Sequence, residues 1–213
     1  MIYDITPSVT SSLAVWPGDS PPTREVLCDL KRGDSVTLST IRATVHLGAH
    51  ADAPSHYGVD APAIDMRALE YYLGPCQVMR VNVSRHGRVS PEDLVGAIQA
   101  PRVLLSTGTF PDPKMFNEDF AALEPQLVDA LHDKGVVLVG IDTPSVDLFS
   151  SKDLAAHKRF LKHDMAILEG LVLDDVPDGL YELIALPLKL AGFDASPVRG
   201  ILRTTDDRDE LLT

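Results

Sequence analysis

Apolar and polar positions along this chain fall into short runs. Runs rich in β-branched residues and leucine, closed by Gly, Pro or Asp, predict strands over residues 2–5, 24–30, 36–47, 77–83, 102–106, 136–141, 181–186 and 198–203. The run Val136-Val137-Leu138-Val139-Gly140-Ile141 is apolar throughout, and a strand without a polar face is covered on both sides, so it is predicted to be central. Helical signals are fewer. Residues 65–71 predict a short helix. Residues 90–98 open with Ser90 as a cap and Pro91 in the first position. Residues 125–134 stop at Gly135, a favoured C-terminal residue. Residues 151–162 begin Ser-Ser-Lys-Asp and carry Leu154, Phe160 and Leu161. Strands outnumber helices and no linker divides the chain. The pattern predicts one α/β domain over residues 1–213, with a mixed sheet or flattened barrel and helices packed outside.

Composition narrows the function classes. Apolar residues make up 45% and charged residues 23% of the 213 positions, enough to bury a sizeable core. A formal net charge of −12 argues against nucleic acid and against anionic membrane surfaces as partners. No apolar run approaches the roughly 20 residues that span a bilayer. The start, Met1-Ile2-Tyr3-Asp4-Ile5, lacks the features of a signal peptide. Cys28 and Cys76 are isolated and read as reduced thiols of a cytoplasmic protein.

The densest chemistry lies in His46-Leu47-Gly48-Ala49-His50-Ala51-Asp52-Ala53-Pro54-Ser55-His56. Three imidazoles and a carboxylate interleave with small residues, and these are the donors that zinc and similar divalent ions prefer. His46, Gly48, His50 and Asp52 share the parity of an extended chain, which predicts side chains pointing one way. Pro54 argues against one long helix here. Seven histidines are an ordinary supply for the length, but three beside an in-phase acid point to a metal site rather than a His-rich surface loop. Partners are sought elsewhere in the chain. His157 lies on the predicted helix 151–162, and Glu169 sits in Ala166-Ile167-Leu168-Glu169-Gly170-Leu171, where apolar neighbours predict a buried carboxylate in need of a cation or proton. Alone, His157 reads equally as a solvated helix histidine and Glu169 as a strand-end acid. His163 and Asp164 are rival ligands, although His163 reads as a helix C-terminal histidine favoured by the dipole. His86 and His132 read as surface residues. Trp16, the only tryptophan, adjoins Pro17-Gly18-Asp19, a turn composition that predicts a loop position.

The motif from His46 to His56 resembles the HxGTHxDxPxH signature of the cyclase-like metal-dependent hydrolases, which include the bacterial kynurenine formamidases. Asp4-Ile5-Thr6-Pro7, Trp16-Pro17-Gly18-Asp19, the segment from Gly140 to Asp147 and Leu168-Glu169-Gly170-Leu171 resemble further formamidase blocks in the same order. Ala49 departs from the signature, where threonine is usual. The resemblance implies a swivelling β/α/β fold, a homodimer and two zinc ions per chain, with manganese or cobalt as substitutes. It implies that His46, His50 and Asp52 bind metal, that Asp52 bridges, that His157 and Glu169 complete the second set, that His56 is a general acid/base, and that Trp16 lines the substrate pocket. The implied reaction is hydrolysis of N-formyl-L-kynurenine to L-kynurenine and formate, with His56 delivering a proton to the departing aryl amine. Two alternatives remain at this point: an isatin hydrolase-like enzyme acting on another small cyclic amide or ester, and a non-catalytic zinc-binding protein.

Overall fold

The computed structural model describes residues 1–204. Its strands are β1 (Ile2–Asp4), β2 (Thr23–Cys28), β3 (Leu38–Arg42), β4 (His50–Asp52), β5 (Leu73–Arg80), β6 (Arg88–Val89), β7 (Arg102–Ser106), β8 (Ala122–Leu123), β9 (Leu138–Ile141), β10 (Ala166–Glu169), β11 (Gly179–Ile184), β12 (Ala195–Pro197) and β13 (Ile201–Thr204). Two α-helices join them, α1 (Pro125–Asp133) and α2 (Ala155–His163). Nine strands form one curled mixed sheet in the order β1-β13-β11-β5-β7-β9-β10-β4-β12.

The middle of this sheet, β5-β7-β9-β10, is parallel, and antiparallel pairs extend it on both sides. Parallel neighbours need crossovers, and α1 and α2 supply those from β7 to β9 and from β9 to β10. β9 (Leu-Val-Gly-Ile) is apolar throughout and buried along its length because both faces are covered. On one face Val103, Leu105, Val139, Ile141 and Ile167 pack against Leu127, Val128 and Leu131 of α1 and Ala156 and Phe160 of α2. On the other, Leu104, Leu138 and Leu168 pack with Ala49, Ala51, Ala53, Val78, Leu183 and Leu202.

Several expectations needed correction. The predicted strand 36–47 divides. Leu38–Arg42 pairs with β2 in a separate two-stranded sheet, and the chain then bends before β4 begins at His50. Gly48, with φ +54, lies in the left-handed region, so the extended parity expected from His46 onward fails there and holds only for His50 and Asp52. The predicted helix 90–98 is a single 3-10 turn, Pro91–Asp93. Ser90 and Asp93 form the capping box, but Leu94 returns to extended backbone. Residues 65–71 fold as two such turns, Ile64–Met66 and Leu69–Tyr71, separated by extended backbone at Arg67 and Ala68. The helix predicted over 151–162 starts later, at Ala155, because Leu154 is left-handed (φ +49). Strands β6, β8 and β12 were not foreseen, and β4 and β10 only in part, through the extended parity of His50 and Asp52 and the alternative of Glu169 as a strand-end acid. Among the described residues, no helix is long and apolar enough to cross a membrane. Cys76 is buried in β5 and Cys28 lies on the β2–β3 hairpin, both as free thiols.

Candidate metal centre

The centre sits where the parallel strands end. β10 stops at Glu169, and Asp142 follows β9 directly. Open α/β sheets bind ligands at this carboxyl edge. β4 runs antiparallel to β10 with His50 opposite Glu169 in the register, so the two side chains share a face. Asp52, two residues along the same strand, shares that face, while Ala49, Ala51 and Ala53 point into the apolar cluster behind. The alanine that replaces the usual threonine is therefore a core position on the reverse side of the strand.

The backbone makes this close approach possible. A Cβ on Gly170 (φ +64) would overlap the carbonyl oxygen of Gly48, and one on Gly48 would press against the Pro7 ring. Two glycines let the end of β10 and the bend before β4 meet main chain to main chain.

Five side chains converge. His46 Nδ1 lies 3.1 Å and His50 Nε2 3.5 Å from Asp52 Oδ1. His50 Nε2 is 3.3 Å from Glu169 Oε2. His157 Nε2 lies 3.4 Å from Asp52 Oδ2 and 3.6 Å from Glu169 Oε1. These approaches lack hydrogen-bond alignment: both Asp52 oxygens and His50 Nε2 are buried with no hydrogen-bond partner. A buried carboxylate with neither oxygen satisfied is costly, and a divalent cation among these nitrogen and oxygen donors would remove the cost. The residues present fit the metal. Among the described residues, two groups of three have ligand atoms within 4.8 Å of one another: His46, Asp52 and His56, and His50, Asp52 and Glu169. Asp52 belongs to both.

Two imidazoles of the centre have their tautomers set from behind. His50 Nδ1 lies 2.8 Å from the Gly48 carbonyl, which only accepts, so Nδ1 carries the hydrogen and Nε2 presents its lone pair. His157 Nδ1 donates to Asp147 Oδ2 at 2.9 Å. Asp147 also accepts from the backbone N–H groups of Ala156 and His157, so one carboxylate caps α2 and aims its histidine. Glu169 Oε1 is held by the Val146 N–H at 2.7 Å.

Burial opposes charge on His46, but the Asp52 and Asp194 carboxylates and the charge of Glu169 outweigh it and raise its pKa to about 9. His157 behaves alike: burial is overcome by Asp147, Asp52 and Glu169, and its pKa rises to about 10. Burial pushes Asp52 up, yet the imidazoles of His157, His46 and His50 carry it well below the ordinary carboxylate range.

His56 ends the 3-10 turn Pro54–His56, with Pro54 at its first position, and its half-exposed ring stands 4.2 Å from that of His46. Its Nδ1 lies 3.5 Å from Asp194 Oδ2, and the same oxygen accepts from His46 Nε2 at 3.2 Å. Sequence reasoning missed Asp194. It lies 148 positions from His46, just before β12, and an isolated acid in Gly-Phe-Asp carries no local signal. The rivals go elsewhere. His163 pairs with Asp129 at 2.5 Å and stacks on the exposed His132, while Asp164 binds Arg67. His86 is exposed.

The centre opens into a cavity of about 540 Å³ reached by His46, His50, His56, His157 and Glu169. Trp16 stands in its wall on a turn closed by Asp19 N–H to the Trp16 carbonyl, so the loop expectation held. Phe149 and Phe116 flank the indole at 4.9 and 5.5 Å between ring centres. Phe110 and Phe116, also in the wall, were not foreseen.

Residues 3–148 match the profile of the family described as "Putative cyclase". Among solved structures, a "potential metal-dependent hydrolase with cyclase activity" is 28% identical, with a TM-score of 0.82 over 95% of this chain and 96% of that one. A "predicted metal-dependent hydrolase" from Bacillus stearothermophilus is 30% identical, with a TM-score of 0.80 over 95% and 97%. Isatin hydrolase A from Labrenzia aggregata, bound to benzyl benzoate, is 22% identical with a TM-score of 0.79 over 97% and 94%, a likeness of fold.

Proposed function

The chain belongs to the "Putative cyclase" family of metal-dependent hydrolases, and from that premise we propose that it cleaves the C–N bond of an aryl amide, with N-formyl-L-kynurenine as substrate and L-kynurenine and formate as products. The observation that carries this reading is Asp52, a buried carboxylate with both oxygens unsatisfied, which turns Oδ1 to His46 and His50 and Oδ2 to His157 behind the floor of an aromatic-walled cavity. His46, His50 and Asp52 would hold one cation, and Asp52, His157 and Glu169 a second. Zinc is the first choice for this donor set, with manganese and cobalt as substitutes. Such cations supply Lewis acidity and a water nucleophile at neutral pH.

The protein's own part is orientation and proton movement. Trp16, Phe110 and Phe116 offer faces and edges to an aromatic ring and exclude water around it. His56, on a proline-stiffened turn beside the ligands, donates the proton that the departing aryl nitrogen needs. Asp194 steadies the His56 ring from its Nδ1 side. A second reading, hydrolysis of a small cyclic amide such as isatin, is favoured by the likeness of fold to isatin hydrolase A.

The homodimer implied by the family resemblance would find a surface in the β2–β3 hairpin. An isolated two-stranded sheet is marginal in water, and this one exposes Leu27, Leu38 and Ile41.

The test is turnover of N-formyl-L-kynurenine and of isatin by protein stripped with a chelator and reloaded with zinc. Activity should vanish on stripping and return on loading. Turnover indifferent to the chelator overturns the proposal, and turnover of isatin alone selects the second reading.

A further inference from the structure

Outside the residues that would hold the cations, the charged side chains that line the cavity carry one sign. Beyond the ligands, apolar Trp16, Phe110, Phe116 and Leu171 are joined by Asp19 and Asp174, and none of the described residues that line the cavity is Lys or Arg. Behind the centre, Arg88 is already engaged: it donates to the Leu123 carbonyl at 3.0 Å and lies 3.4 Å from Asp147. Arg80 is turned onto the Asp174 carbonyl at 3.4 Å. The whole chain carries −12, so the longer-range field has the same sign, while the cations that the centre would hold act at the floor, beside the bond being cut. A cleft with low-dielectric walls and one sign of charge concentrates its potential, repelling anions and drawing cations. Aromatic faces add to the preference, because their negative quadrupole attracts a cation and gives a carboxylate nothing.

We propose that this cavity selects its substrate by charge: it takes an aromatic portion that is uncharged or carries an ammonium group, and rejects one that carries a carboxylate remote from the bond being cut. An amino-acid arm such as that of N-formyl-L-kynurenine is then read through its ammonium group, with its carboxylate turned to solvent. The proposal deepens the hydrolase reading and rests on it only for which bond reacts.

Trp16 makes the test independent of turnover. It is the only tryptophan of the chain and stands in the cavity wall, so its fluorescence reports occupancy of this cavity. Three matched probes are titrated into metal-loaded and chelated protein: formanilide, which is neutral, para-formamidobenzoate, which is anionic, and para-(aminomethyl)formanilide, which is cationic. The neutral and cationic probes should bind at least about tenfold more tightly than the anion at low salt, and the gap should narrow as salt screens it. The double variant Asp19→Asn with Asp174→Asn should also narrow it. An anion that binds as well as the neutral probe, or a gap that the double variant leaves unchanged, overturns the proposal. If metal-loaded protein binds formanilide in this order yet does not hydrolyse any aryl formamide, the hydrolase reading fails and the charge selection stands.

Discussion

Asp147 holds His157 by both ends of its backbone-to-ring span: the carboxylate accepts from the His157 backbone N–H at 3.1 Å and from its ring Nδ1 at 2.9 Å. Helix start and ligand direction are thus one device. Asp147→Ala should remove the cap, costing roughly 1–2 kcal/mol of stability, and should weaken metal retention about 10–100-fold as the ring loses its orientation. Thermal unfolding and metal content together check this. A variant that loses stability but keeps full metal affinity would show that the ring is positioned by something else.

Asp52 stands between the two donor sets with one oxygen toward each, Oδ1 to His46 and His50 and Oδ2 to His157. Asp52→Asn should therefore lower bound metal more than His157→Ala, because an amide does not bridge as an anion. Elemental analysis of the two purified variants decides it. Retention of two ions per chain by Asp52→Asn would remove the bridge.

His56 is within ligand reach of His46 and Asp52, yet its ring is half exposed on a turn outside β4. His56→Ala should keep its metal and lose turnover by about 10²–10⁴-fold, the range of a general acid. The loss should shrink with a substrate whose amine leaves readily without protonation. Loss of metal from this variant would make His56 a ligand instead.

The metal-free centre should hold protons where cations bind. Folded pKa values of about 9 for His46 and about 10 for His157 stand above the ordinary imidazole value. Their contribution to stability in the metal-free fold is fully present below about pH 6.5 and is lost as pH rises through the folded values. Cations must displace these protons, so apparent metal affinity should climb from pH 6 to about pH 9, with about two protons released per chain near neutrality. Calorimetry in buffers of different ionisation enthalpy counts them. Binding without proton release would contradict the arrangement.

Legibility followed the distance over which a signal acts. Residues 102–106 were read as a strand to the residue because five apolar-rich positions stand between a proline and a glycine-containing turn. α1 was read to within a residue because Pro125 and Gly135 mark its ends. Strand β12 was missed, and β4 and β10 were read only in part, because three or four residues show no periodicity, and their pairing is decided by neighbours far along the chain. The same division holds for the centre. His50 and Asp52 announce a shared face through their spacing. Asp147 and Asp194 act from positions where only the fold makes them neighbours of histidines, and the aromatic wall joins Phe110, Phe116 and Phe149 to a tryptophan some hundred positions earlier.

The contact between Gly48 and Gly170 bears on how such an enzyme can diversify. Because the segments that carry His50 and Glu169 touch through their main chains, their separation is set by backbone contact rather than by side-chain packing. The opposite wall has no such tie: Trp16 and Phe116 stand on loops that meet through ring contacts and a main-chain bond from Ala14 to Pro113. Drift in the sequence of those loops can reshape what is accepted while the chemistry beneath stays fixed. One chain thus carries a half tied through its main chain and a half tied through its side chains, divided along the floor of a single cavity.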